Sequence, residues 1–227
     1  MRKDIKFRNE VTPFFKRIKS DDKKNSLVIP ICEKNHIIAQ LRLVTADFTE
    51  KEVELLAKWR DASAKWFPSK FKVTKGGTRK WLIEKVIDVK DRILFWVQTL
   101  NGFQIGHMGL YRFDFKDRSC EIDNVIRGEK NIMPGIMTLG LRALLNWSFS
   151  VLKLRAVTLR VFSDNKRATA LYQRCGFKKV RDIPLKKVIK RNTIQWVEMS
   201  DKSKKMTERY FSQFRITRAR NNKINKI

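Results

Sequence analysis

The sequence predicts a mixed α/β domain whose sheet is antiparallel in its first half, and three observations carry that reading. Two strand-like runs, ILFWVQT (93–99) and FQIGHMGLYRF (103–113), are separated by Leu100-Asn101-Gly102, and Asn-Gly is the strongest short hairpin signal a sequence offers. After Pro134 the apolar spacing becomes helical, with Met137, Leu141, Leu144, Leu145 and Phe149 in step. Val157, Leu159 and Val161 then alternate as a strand, and a short helix follows at once.

The elements follow in order. Residues 1–36 read as a basic N-terminal extension, partly ordered at best. The domain proper is assigned to 37–200, opening with a strand from Ile37 to Val44. Thr49 with Glu52 is a capping box that starts a helix carrying Val53, Leu55, Leu56 and Trp59. A second helix is expected from Arg79 to Ile87. The hairpin comes next, and Lys116-Asp117-Arg118 turns the chain into a third strand, SCEIDNVI (119–126). Pro134 suits the first turn of the helix after it, where a missing N–H costs nothing. In the following helix Ala168, Leu171, Tyr172 and Cys175 share a face, and Gly176 is a natural stop. Strands at 177–180 and 194–199 close the domain. Residues 201–227 read as a basic tail with a helix over 203–219. No repeat and no Pro- or Gly-rich linker divides the chain.

Composition narrows the function. Among 227 residues, 42% are hydrophobic and 15 are Phe, which is enough to bury a core. No apolar run approaches the roughly 18 residues of a membrane span, and the N-terminus lacks an apolar signal core, so a soluble cytoplasmic protein is expected. Cys32, Cys120 and Cys175 are isolated, and His36 and His107 cannot build a cage, so neither a disulfide framework nor a metal site is expected. Lys and Arg number 51 against 23 Asp and Glu, a net charge of +28 that attracts polyanions: nucleic acid, an acidic surface or a phosphate-rich small molecule. The excess gathers near residue 23, over 178–191 and after 202, and it also reads simply as a solvated shell.

The stretch RVFSDNKRATALYQRCGF (160–177) carries a resemblance. Its S-D-N-x-x-A-x-x-L-Y-x-x-x-G-F order is similar to that of the GNAT superfamily of acetyl-CoA-dependent N-acetyltransferases. EIDNVI, a glycine-containing loop and TLGLRALLNWSF match in the same order, and LRLVTADFTEKEVELLAKWRD resembles the opening strand and helix of the branch acting on protein N-termini and amino sugars. The resemblance covers about Ile38 to Met199. It implies a central, partly splayed, mostly antiparallel sheet flanked by helices, opening between strands 119–126 and 156–162 to admit pantetheine. It also implies acetyl-CoA as acyl donor, with contacts from Ile126, Arg127, Lys130, Met133, Gly135 and Ile136 around the pyrophosphate loop and from Asn165 and Ala168 on the far side. Tyr172 is implied as the proton donor to the departing thiolate. The loop departs from the family pattern: Gly135 alone falls in place, and Met133 stands where a glycine is usual.

A base must free the acceptor's amine. Some relatives place Glu five residues before the Asn, where this chain has Arg160. Glu121 and Asp123, on one face of their strand, are the alternatives; the pair also reads as recognition groups for a cationic acceptor or as a solvated pair. His107 is a further candidate, though a lone histidine is more often packing. The favoured function is acetyl transfer to an amino sugar on a nucleotide carrier. Alternatives are an acetyltransferase of ribosomal-protein N-termini, or a catalytically weak GNAT-like protein holding nucleic acid through its basic tails, where RYFSQFRITRARNNK interleaves aromatics and arginines.

Overall fold

In the computed structural model, which describes residues 2–20, 26–191, 193–199 and 207–224, the helices are α1 (Arg2–Ser20), α2 (Glu50–Ala62), α3 (Lys75–Leu82), α4 (Ile136–Ser150), α5 (Lys166–Arg174) and α6 (Arg218–Ile224). The strands are β1 (Val28–Glu33), β2 (His36–Leu43), β3 (Ser69–Lys70), β4 (Ile93–Thr99), β5 (Gln104–Asp114), β6 (Ser119–Arg127), β7 (Ala156–Phe162), β8 (Lys178–Lys190), β9 (Thr193–Glu198) and β10 (Arg209–Thr217). They form one sheet in the order β1-β2-β4-β5-β6-β7-β10-β8-β9-β3. Among the described residues only β6 and β7 pair in parallel.

Strand β4 shows why helices cover both faces. Ile93, Phe95 and Val97 enter one core and Leu94 and Trp96 the other, because successive side chains point oppositely. The larger core lies under α1 and α4, and the smaller under α2 and α3, where Trp59 meets Trp96 edge-on at 5.8 Å. The capping box forms as expected: the Thr49 side chain accepts from Glu52 N, and Thr49 N donates to Glu52 Oε2 at 2.8 Å. The expected second helix starts earlier than Arg79, because the Thr74 side chain accepts from Gly77 N and caps it; the Ile83–Ile87 part widens into a π-turn.

Both basic ends depart from expectation. The described residues of the 1–36 segment pack into the domain: Phe7, Val11, Phe15 and Ile18 of α1 are buried in the main core, and β1 pairs with β2. The charges lie between members of an apolar stripe of helical period. The buried Lys19 ammonium donates to the carbonyls of Val86 and Val89, which staples the end of α1 to the turn after α3. In the tail, the expected helix over 203–219 falls partly outside the described residues. Its described part is chiefly strand β10, inserted antiparallel between β7 and β8. The crossover through α5 leaves a slot one strand wide there, and the unpaired backbone of β7 and β8 needs a partner. Phe211, Phe214 and Ile216 are buried, Arg209 is bound to Asp164, and Arg220 Nε donates to Gly176 O, so these tail aromatics and arginines serve the fold rather than an exposed nucleic-acid surface. No described helix is long and apolar enough to cross a membrane.

Candidate active site

Strands β6 and β7 pair only at Ser119–Ala156, Cys120–Val157 and Glu121–Thr158, then separate. Beyond Glu121 the sheet opens, and a cleft of about 1250 Å³ fills the opening. It is lined by Glu121, Asp123, Ile126, Arg127, Lys130, Gly135, Asn165, Ala168 and Tyr172, so one chamber joins most of the residues singled out in the sequence. Met133 and Ile136 are different. Ile136 is buried in the main core and Met133 packs against it, so their side chains anchor the loop instead of facing the cleft.

A bulge shapes the β6 side. Pairing with β5 shifts between His107–Ile126 and Gly109–Asp123, and Asn124 takes a positive φ of 49°. His107 holds this kink: Nδ1–H donates to Asn124 O at 2.7 Å while Trp59 stacks against the ring. Burial pushes its imidazole down to about 4, against the pull of the Asn124 bond and Asp123, so it stays neutral and is unsuited to deprotonating an ammonium. Because the folded value lies below the ordinary 6.5, the unfolded chain takes up the proton first. Stability from this site is therefore present above about 6.5 and lost as pH falls through about 4. Acid melts are expected to show a loss on the order of 3 kcal/mol across that window, blunted in His107→Gln.

The loop before α4 is organised by Arg127. Its Nε donates to Glu129 O, and Nη2 donates to Lys130 O at 2.9 Å and Ile132 O at 2.6 Å. The guanidinium is thus tied through Nε and Nη2 to the loop's own carbonyls, which fixes the loop beside the cleft. Gly135 stands at the N-cap of α4 with φ +86°, and a Cβ placed there would meet nothing within 4 Å. Open space beside a helix N-terminus in a left-handed glycine turn fits an anion held by backbone N–H groups. Asn165 caps α5, its Oδ1 accepting from Ala168 N at 3.2 Å, so this oxygen is committed to the cap.

Charged side chains close the base of the opening. Arg160 sets Nε 2.9 Å from Glu121 Oε1 and Nη2 3.0 Å from Oε2, and its Nη1 also pairs with Glu198. Arg112 adds a bond to Glu121 Oε2 at 3.3 Å. Burial pushes the Glu121 carboxyl up to about 7, with Arg112 opposing and Asp123 and Glu198 reinforcing the rise. The Arg160 fork favours the ionised form, so Glu121 sits between two protonation states near neutrality. Asp123 Oδ2 takes bonds from Arg92 Nε at 2.7 Å and Asn124 Nδ2 at 2.8 Å. Tyr172 is 8% exposed and lies edge-on to Phe177, and burial pushes its phenol up, so it remains protonated. Arg60, Arg92, Arg112 and Glu198 went unnoticed in the sequence, because each comes from a separate element without a local motif.

A family model described as an acetyltransferase (GNAT) domain matches residues 41–178. The chain belongs to the GNAT acetyltransferase family. It is accordingly an N-acetyltransferase with acetyl-CoA as acyl donor, and the open β6–β7 fork, Gly135 and the α4 N-terminus fit that donor. Solved structures with this fold include the spermidine N-acetyltransferase from Vibrio cholerae in complex with CoA and spermine, at 17% identity and a TM-score of 0.62, covering 81% of this chain and 98% of that one. A probable GNAT-family acetyltransferase from Chromobacterium violaceum ATCC 12472 has 18% identity and a TM-score of 0.64, covering 86% and 88%. At these identities the likeness is one of fold. Comparison with curated protein sequences gives no significant match.

Proposed function

We propose that this GNAT enzyme acetylates the primary amine of an acceptor that itself carries negative charge, an amino sugar on a nucleotide carrier being the best match. One observation supports this above the rest. On residues 60–72, Arg92, β5 and β7 the cleft carries six cations, Arg60, Lys65, Lys72, Arg92, Arg112 and Arg160, against the three carboxylates Glu121, Asp123 and Glu198 of β6 and β9. Trp66, Phe67, Trp81, Tyr111 and Trp196 stand among them. A cationic cleft draws phosphates and repels a free polyamine, and half-buried aromatic rings along it suit a nucleobase.

In this reading the donor supplies an acetyl group activated as a thioester. Glu121, ionised, takes a proton from the acceptor's ammonium, which frees the nitrogen lone pair for attack. Arg160 and Arg112 hold that carboxylate in place, and Asp123 fixes Arg92 in the acceptor wall. As the tetrahedral adduct collapses and the C–S bond breaks, Tyr172, kept protonated by burial, gives its proton to the departing sulfur, and the second proton shed by the nitrogen restores the phenol.

The test is an acceptor panel of uridine diphosphate and thymidine diphosphate amino sugars, N-terminal peptides and spermidine, followed by mass spectrometry. A sugar nucleotide is expected to exceed spermidine in kcat/KM by at least about 10-fold at low salt. That rate should climb as pH rises through about 7, where Glu121 ionises, and the inflection should vanish in Glu121→Gln. Spermidine turning over faster than every anionic acceptor would sink the proposal.

A further inference from the structure

Arg60 lies at the end of α2 in the cleft wall, and its guanidinium is only partly committed. Nη2 donates to Ser69 O at 2.5 Å. Nη1 is buried and has no hydrogen-bond partner. The plane rests 3.8 Å from the Phe67 ring centre, with the Phe71 ring at 5.1 Å. The neighbouring Asp61 does not form an ion pair with it within 4.0 Å among the described residues.

An arginine needed only to pin the segment after α2 would use its bond to Ser69 and leave the other nitrogen in water. Here the second nitrogen is desolvated without an acceptor, a costly arrangement unless something else supplies one. Of the two rings against the guanidinium, Phe71 is the more exposed, at 45%, and it lines the cleft. A rotation of the Phe71 side chain would open this side of the guanidinium to the cleft and offer the ring face to a planar group. Lys72 lines the cleft next to Phe71 and adds a second positive charge. A guanidinium with a vacant donor, flanked by two phenyl rings, recognises a phosphate attached to an aromatic base.

We propose that Arg60, Phe67 and Phe71 form the subsite for the nucleoside phosphate of the acceptor, separate from the loop at Gly135 that faces the donor. This rests on the reading of the acceptor as a nucleotide-linked amine, and it adds which residues read the nucleotide.

Calorimetry on the full-length protein saturated with CoA isolates the subsite, because the donor's own phosphate site is then filled. The probe is uridine diphosphate, with uridine as the phosphate-free control. Uridine diphosphate should bind the wild-type complex, and Arg60→Gln should weaken it by about 10- to 100-fold. CoA affinity, unchanged in the same variant, shows that the fold is intact. Phe71→Ala keeps the bond to Ser69 and should cost about 10-fold through lost stacking, for uridine diphosphate and uridine alike. In steady state, Arg60→Gln should raise KM for the acceptor and leave kcat nearly alone. Equal uridine diphosphate affinity in wild type and Arg60→Gln, or no binding to the wild-type complex, overturns the subsite. Turnover of a sugar nucleotide with a KM insensitive to Arg60 removes the subsite and leaves the proposed function standing. Arg60-dependent nucleotide binding without turnover of any amino sugar does the reverse.

Discussion

Tyr172→Phe is expected to lower kcat by about 10²-fold, the lower range for loss of a positioned general acid, with acetyl-CoA affinity unchanged. The substitution removes one hydroxyl and keeps the ring that packs edge-on against Phe177 at 6.0 Å, so stability should hardly move. The effect falls on the chemical step because a buried phenol, its titration pushed upward, holds its proton at neutral pH and can give it to a sulfur leaving group. A donor thioester with a more acidic thiol should recover part of the loss, since its sulfur leaves with less help. An unaltered kcat would remove Tyr172 from the mechanism.

Gly135→Val is expected to weaken acetyl-CoA binding by about 10²-fold, as loss of one or two hydrogen bonds to a charged group would. Two causes act together. A φ of +86° is strained for any L side chain and most of all for a β-branched one. The branched carbons would also enter the space now open beside the α4 N-terminus. Binding of pantetheine, which carries no phosphate, should be unaffected. Equal acetyl-CoA affinity in the two proteins, measured by calorimetry, would place the pyrophosphate elsewhere.

Legibility in the sequence followed how local each signal was. The strands from 93 to 127, helix α4 and the β7–α5 unit were readable, because Asn101-Gly102, the change of period at Pro134 and the Gly176 stop act over a few residues. Helix α1 was hidden by its own charges: Phe7, Val11, Phe15 and Ile18 form a clean stripe, but seven Lys and Arg between residues 2 and 19 made the segment look like a solvated extension. The segment of strand β10 suits a helix by its local pattern, Phe211 and Phe214 being three apart. Its true partner is a vacant slot between β7 and β8, which no local pattern announces.

The site divides in the same way. Glu121, Asp123, Asn165 and Tyr172 sit on elements whose boundaries were legible, so their meeting in one cleft could be anticipated. The roles of Arg127 and His107 could not. Each depends on which carbonyl its side chain reaches, Ile132 O for the one and Asn124 O for the other. Arg160 shows both sides: its departure from the family pattern was visible in the sequence, whereas its fork onto Glu121 and its bond to Glu198 of β9 required the folded sheet.

The most direct test of this account is a calorimetric titration of the purified protein with acetyl-CoA, run beside pantetheine. The fork between β6 and β7 and the loop at Gly135 predict micromolar binding that depends on the phosphates, with pantetheine far weaker. No heat from acetyl-CoA, or equal affinity for the two compounds, would contradict the donor site on which every later step rests.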